Sequence, residues 1–397
     1  MSPNLLSVDR EESLHTHIFK HSIPELSSRS DLLKGDRVHH AHNHEVVFMI
    51  QQRNMDELTR ILEDVSNPSS LNYGQHMTMD EVVAMTANPE GLVAVTSYLV
   101  KNGASIVSET LHGEYVTAAA PIAVWEKVLN TEFFTFHQTQ VDGRIEVLVR
   151  AESYSIPREL GSHVMHVMNT IDTPLMTHSS SRTTPSLVNQ RDKSRFHTTG
   201  DWQAVSPRKI REFYNVTNYR GSELSTQAVY ETNDQNFSPR DLKQFQTTFG
   251  LVEQTAQYVS GHNSDAVCEA DPSLCGESNL DLQYIMALSQ HSPTTHWYTN
   301  MEFSSWLISV ANTAKPPLVL SISWGAFENE VPKSHHDAFS FQSMKLGAMG
   351  TTIVAASGDD GANSARARMN VGNCGYRPTF PGASPYVTSV GATSVST

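Results

Sequence analysis

Two short apolar runs, residues 318–323 (LVLSIS) and 352–357 (TIVAAS), stand on either side of a stretch of helical character at 335–349. That alternation constrains the fold more than any other feature of the chain. A strand that is apolar along its whole length is buried on both faces, and buried strands alternating with helices imply a parallel sheet with helices on both sides. A third strand is expected at 386–390, and further helices at 207–213, 239–249, 277–289 and 303–313. Sheets of this kind bind ligands beyond the carboxyl ends of their strands. Ser323-Trp324-Gly325 and Ser357-Gly358-Asp359 fall at such ends, so chemistry is expected there.

The earlier part of the chain has another rhythm. Residues 45–51 (EVVFMIQ) read as a strand, and 55–65 carries Leu58, Ile61, Leu62 and Val65 at helical spacing. Helices are expected at 79–86, 89–101 and 123–129, and strands at 105–109, 114–119 and 145–150, which makes an α+β unit ending near Thr173. Residues 1–37 read as a disordered tail, 38–177 as the α+β domain, and 204–397 as the α/β domain. Between them 178–203 (HSSSRTTPSLVNQRDKSRFHTTGDWQ) has no apolar period and reads as a linker open to proteolysis. Two domains suit 397 residues at roughly 150 residues each.

Charge and cysteine usage narrow the function. With 28 Lys+Arg against 42 Asp+Glu the formal charge is −14, the wrong sign for gripping phosphates, so no nucleic-acid partner is expected. No apolar run approaches the ~18 residues of a membrane span. Cys268 and Cys275 are close enough in sequence to bridge a small loop, leaving Cys374 single. The first twenty residues lack a basic start followed by an apolar stretch, so no signal peptide is visible. Asn215-Val-Thr and Asn236-Phe-Ser are glycosylation sequons.

Three motifs can carry chemistry. In GESNLDLQYIM (276–286), Glu277 and Asp281 lie four apart and share a helix face. Such a pair is either a solvated acidic first turn or two carboxyls sharing one proton. AASGDDGA (355–362) runs a buried strand into a turn. Its residues serve either backbone tolerance or, through a protonated Asp359, donation to developing negative charge. LSISWG (320–325) ends a strand and offers backbone for pairing with an extended peptide.

Taken in order, and joined by RPTFPGASPYVTSVGAT (377–393), these motifs resemble those of the sedolisins. These are serine-carboxyl peptidases of subtilisin-like fold that include the tripeptidyl-peptidases. FMIQQRNMDELTRILEDVSNPSSLNYGQHMTMDEV looks like the family's activation propeptide, and VSPRKIREFYNV (205–216) resembles the start of its mature enzyme, so the resemblance covers 38–397. It implies Glu277 as general base, Asp281 as the acid that orients it and shares its proton, and Asp359, with Asp360 beside it, as the oxyanion-hole acid. Ser323, Trp324 and Gly325 would line the substrate. The runner-up, a Ser-His-Asp subtilisin, requires a His-Gly-Thr helix start, and the only His-Gly here, His112-Gly113, is followed by Glu114.

The resemblance further implies an acidic working pH, peptide or protein substrates, the propeptide as intramolecular inhibitor, a monomer, and a lysosomal or secreted location. It leans toward the tripeptidyl type. The family's nucleophile lies in a later Gly-Thr-Ser motif and its calcium ligands near the C-terminus. Both are expected beyond residue 397, because Gly391-Ala392-Thr393-Ser394 matches the upstream strand, so residues 1–397 alone are expected to be inactive. The alternative is an inactive pseudoenzyme or a propeptide-type inhibitor. His40, His42 and His44 would share a face if extended, a weak metal pattern. Fourteen of the 19 histidines precede residue 200, so the propeptide should gain charge and loosen between about pH 7 and 5.

Overall fold

Alternate positions of Asn43–Ile50 decide how the first part of the chain packs: His44, Val46 and Phe48 all point inward. The structure, a computed structural model, describes residues 17–22, 32–139, 145–173, 178–179, 205–217, 220–300, 302–361 and 375–392. It contains two compact units, Met1–Met176 with Pro332–Met349, and Thr177–Val331 with Gly350–Thr397.

In the first unit Asn43–Ile50 is a central antiparallel strand, flanked by Tyr115–Pro121 and Val164–Met168, with Ser105–Glu109 outside. The helices Pro89–Lys101 and Ile122–Leu129 bury Val95, Leu99 and Trp125 in the same core as Val46 and Phe48. Thr78 and Glu81 form a reciprocal capping box at the start of Met79–Thr86, and Asn88 caps Pro89–Lys101, so sequence signals set both starts. A second sheet joins Leu32–Arg37, Phe133–Thr139 and Ile145–Ala151, and a two-stranded ribbon joins His17–Ser22 to Ser153–Pro157. Residues 17–22 and 32–37 are therefore strands, within the stretch expected to be a disordered tail. Each pairs with a strand far along the chain, with His17 opposite Pro157 and Arg37 opposite Phe134, which no local pattern records.

The helix Lys333–Ala348 corrects another expectation. Its place in the sequence assigns it to the α/β domain, yet it packs within the first unit. Met77 N–H donates to Ala348 O at 2.9 Å, Ser334 Oγ donates to Asp172 Oδ1 at 2.7 Å, and His166 Nε2 lies 2.7 Å from Asp337 Oδ2. Lys345 reaches Gln52 Oε1 at 2.8 Å and pairs with Glu114, and all three residues are buried. Ser334, Phe339, Gln342, Lys345 and Leu346 are all buried, so little of the helix faces water and no amphipathic stripe names its partner.

His44 does not sit on the face drawn for it. Residues 39–42 form a turn, the strand starts at Asn43, and His44 is buried with Nε2–H donating to Asn169 O at 2.8 Å. Burial pushes its imidazole from the ordinary 6.5 down to about 4, so it gains charge later than the propeptide histidines were expected to. The unfolded chain takes up this proton near pH 6.5 and the folded unit does not. Stability is therefore full above 6.5 and falls as pH drops toward 4, by on the order of 3 kcal/mol. Urea unfolding of wild type should show that loss between pH 7 and 4.5, and His44→Gln should lack it. Equal slopes in the two proteins would rule the origin out.

Among the described residues of the second unit, six parallel strands run in the order Gln257–Val259, Thr294–Tyr298, Gln227–Glu231, Val319–Ile322, Thr352–Ala356 and Thr388–Val390. Helices cover both faces. Val229 packs with Leu282 and Met286 of Gly276–Leu288, while its neighbour Tyr230, pointing the other way, meets Phe303 and Trp306 of Phe303–Ala311. The parallel sheet covered by helices on both faces is thus as the apolar strands implied. Cys268 and Cys275 are joined by a disulfide, as their spacing allowed, and Cys374 lies outside the described residues. Among the described residues no helix is long and apolar enough to cross a membrane.

Candidate active site

Gln227–Glu231 leads first to one side of the sheet, at Gln257–Val259, and the chain later crosses to its other side at Val319–Ile322. The crevice beyond this strand's carboxyl end is therefore the topological switch point, where parallel sheets bind ligands. Glu231 is its last residue. Tyr230 stands opposite Ile322, which sets Glu231 beside Ser323 at the end of the neighbouring strand. By alternation Glu231 points to the same face as Val229, the face covered by Gly276–Leu288. That helix carries Glu277 and Asp281 one turn apart.

Three carboxyls therefore converge. Glu231 is fully buried, and Trp324 Nε1–H donates to its Oε2 at 3.1 Å. Ser323 Oγ–H donates to Asp281 Oδ1 at 2.8 Å, and the Asp281 and Glu231 carboxyls lie within hydrogen-bonding reach of each other. Glu277 is buried, and its backbone N–H donates to Gln235 Oε1 at 3.1 Å. Glu231 Oε1 and Asp281 Oδ2 are buried without a well-aligned fixed donor, the arrangement expected of two acids that share a proton.

The electrostatics agree. Burial, and then the charge of Glu277, push Asp281 up to about 7 despite its bonds from Ser323 and Glu231. Burial, and then the charge of Asp281, raise Glu231 well above the usual carboxylate range. The cluster resists losing all its protons at once, because like charges this close in a desolvated site repel strongly. Glu277 and the Asp281 carboxyl are thus withdrawn from water, which is not the surrounding of a solvated acidic first turn.

Of the residues singled out in the sequence, the structure brings together Glu277, Asp281, Ser323 and Trp324. The side chains of Ser323 and Trp324 hold the acids, while the backbone of Trp324-Gly325 pairs antiparallel with Ser179 and His178. A Cβ on Gly325 would come within 2.3 Å of Thr379 Cγ2, so only glycine fits between these strands. Asp359 and Asp360 follow the neighbouring strand Thr352–Ala356 at the same edge of the sheet, with Asp359 exposed. Thr393 and Ser394 lie outside the described residues. Among the described residues no three His, Cys, Asp or Glu side chains gather in a way that would hold a metal ion.

Sequence reading missed Glu231 and its strand. The available signal was AVYE, a short buried run ending in an acid before a polar turn. It also missed Ser278 and His296, which support the cluster from behind.

Cys275 is the N-cap residue of the acid-bearing helix and makes no side-chain cap; the N–H of Glu277 donates instead to Gln235 Oε1, while the disulfide ties this helix end to Cys268. Closing this loop, with a sequence separation of 7, should stabilise the second unit by about 2.5 kcal/mol on chain-entropy grounds. Urea unfolding of Cys268→Ala/Cys275→Ala should show that loss, and unchanged stability would mean the bridge constrains nothing.

Comparison with known proteins adds the relatives. Residues 30–173 match the model of the pro-kumamolisin activation domain. Physarolisin of Physarum polycephalum is 31% identical over 389 residues, covering 93% of this chain and 63% of that protein. Tripeptidyl-peptidase 1 of Homo sapiens is 28% identical over 364 residues, covering 88% of this chain and 61% of that protein. The chain thus spans less than two thirds of the length of these curated relatives. A solved Pseudomonas sedolisin (serine-carboxyl proteinase) aligns over 47% of this chain and 52% of its own at 18% identity, with a TM-score of 0.37, too slight a likeness to bear on the fold.

Proposed function

The chain belongs to the sedolisin family and carries that family's activation domain, and on that premise we propose that it is the zymogen of a serine-carboxyl peptidase that hydrolyses peptide bonds in acid. The observation that carries this reading is the Glu277–Asp281–Glu231 cluster at the switch point of the sheet. Glu277 takes the proton of a serine hydroxyl as its oxygen attacks the substrate carbonyl, and then gives that proton to the leaving amine. Asp281 orients Glu277 and exchanges the proton with it, while Glu231, held by Trp324, keeps Asp281 in place. Asp359, protonated at the working pH, donates to the oxyanion. Water then hydrolyses the acyl-enzyme.

A carboxylate base and a donating carboxyl both ask for acid conditions, in keeping with the raised Asp281 and Glu231. No Gly-Thr-Ser occurs in residues 1–397, and the nucleophile is proposed to follow them, with calcium ligands further on. The pairing of His178-Ser179 on Trp324-Gly325 supports the propeptide's role as intramolecular inhibitor, because the linker takes the strand edge that a peptide substrate would use. The disulfide suits a secreted or lysosomal location.

The tripeptidyl specificity is tested with peptide substrates that carry a free or a blocked N-terminus. The enzyme that includes its downstream serine, acid-activated, should release tripeptides from the free form alone. Equal cleavage of both forms would make it an endopeptidase, and no cleavage of either at any acid pH would end the peptidase reading.

A further inference from the structure

Behind the acid cluster lies a second layer with polar side chains that the catalytic reading leaves unused. His296 pairs in register with Val229, so its side chain points to the face covered by Gly276–Leu288. There His296 Nε2 lies 3.1 Å from Ser278 Oγ, and both residues are fully buried. The Ser278 hydroxyl lies in turn within hydrogen-bonding reach of Glu231. Phe237 packs against the imidazole, with ring centroids 4.9 Å apart, and Nδ1 is buried without a partner.

One hydroxyl hydrogen serves this chain of three groups, which leaves two arrangements. If Ser278 donates to His296 Nε2, the proton sits on Nδ1 and a buried N–H is stranded against Phe237. If Nε2 carries the proton and donates to Ser278 Oγ, the hydroxyl hydrogen turns to Glu231 and only a lone pair is stranded at Nδ1. An orphaned buried N–H is the rarer fault in native proteins. Burial, followed by the nearby charge of His262, pushes the imidazole down to about 3, so it stays neutral with one N–H to place.

We propose that His296 is a positioning residue of the acid cluster: its Nε2–H donates to Ser278 Oγ and turns the Ser278 hydroxyl hydrogen onto Glu231. Glu231 then receives hydrogen bonds from Trp324 on one side and from Ser278 on the other. The proton it shares with Asp281 is drawn toward Asp281, on the side that faces Glu277. The titratable groups that meet this relay are Glu231, Asp281 and Glu277 across Ser278, and His262 beside the imidazole.

The inference deepens the peptidase reading and rests on it for any consequence in turnover, so its test needs no substrate. The full chain, labelled at the glutamate side-chain carboxyl with carbon-13, is titrated by NMR, and the Glu231 signal is assigned as the one missing from Glu231→Gln. Removing a donor from a carboxylate raises its protonation midpoint, here by about one pH unit. His296→Phe and Ser278→Ala should each show that rise. His296→Gln, which carries an N–H near the place of Nε2, should return the midpoint to the wild-type value. A midpoint unmoved by Ser278→Ala overturns the proposal, as does one that His296→Gln raises as far as His296→Phe. Should a His296 variant fail to fold, Ser278→Ala decides alone by the same rise or its absence. The expected shifts in a protein without peptidase activity would sink the peptidase reading and leave this one standing.

Discussion

Lys345→Met costs the first unit about 3–5 kcal/mol, because it leaves Glu114 buried with its charge uncompensated. Lys345 and Glu114 are each almost wholly withdrawn from water, and among the described residues the lysine's other partner is Gln52, a neutral amide. The pair itself earns little net stability, since both charges were desolvated to form it. The cost arises on breaking it. A double variant, Lys345→Met with Glu114→Leu, should therefore recover most of the loss by removing the stranded carboxylate. Urea unfolding of the three proteins checks this. A single variant as stable as wild type, or a double variant worse than the single, would refute it. The effect also reads out the placement of Lys333–Ala348, since a helix outside the first unit could not destabilise it in this way.

On the proposed mechanism, Glu277→Gln should lower kcat at acid pH by about 10⁴- to 10⁶-fold in a protein that carries the proposed nucleophilic serine, with KM little changed. The amide keeps the size and hydrogen-bonding shape of the side chain but cannot accept the serine proton. Asp281→Asn should cost less, because in the proposed mechanism that residue acts on the reaction through Glu277. Steady-state kinetics on acid-activated protein decide the matter. A Glu277→Gln enzyme with wild-type kcat would move the base elsewhere, and Glu231 would be the first residue to examine.

Much of the α/β architecture was legible along the chain. LVLSIS and TIVAAS announce buried parallel strands, and the Glu277–Asp281 spacing puts two acids on one helical face. Both are local periodicities, which depend on neighbours within a few residues. Capping signals were equally local, which is why Met79–Thr86 and Pro89–Lys101 begin where their sequence says. Glu231 was not legible, because nothing near Gln227–Glu231 says that its last residue meets a helix that starts 45 residues later. The strands at 17–22 and 32–37 escaped for the same reason, since their partners lie far along the chain.

By itself, then, the sequence determined the parallel sheet, its covering helices, the acid pair and the strand end beside it, because each follows from spacing within one element. Tertiary structure alone decided which acids become a cluster and which helix joins the first unit. Burial and the raised affinity of Asp281 and Glu231 for protons come from charges and apolar groups that converge from separate elements, and that convergence is a property of the fold.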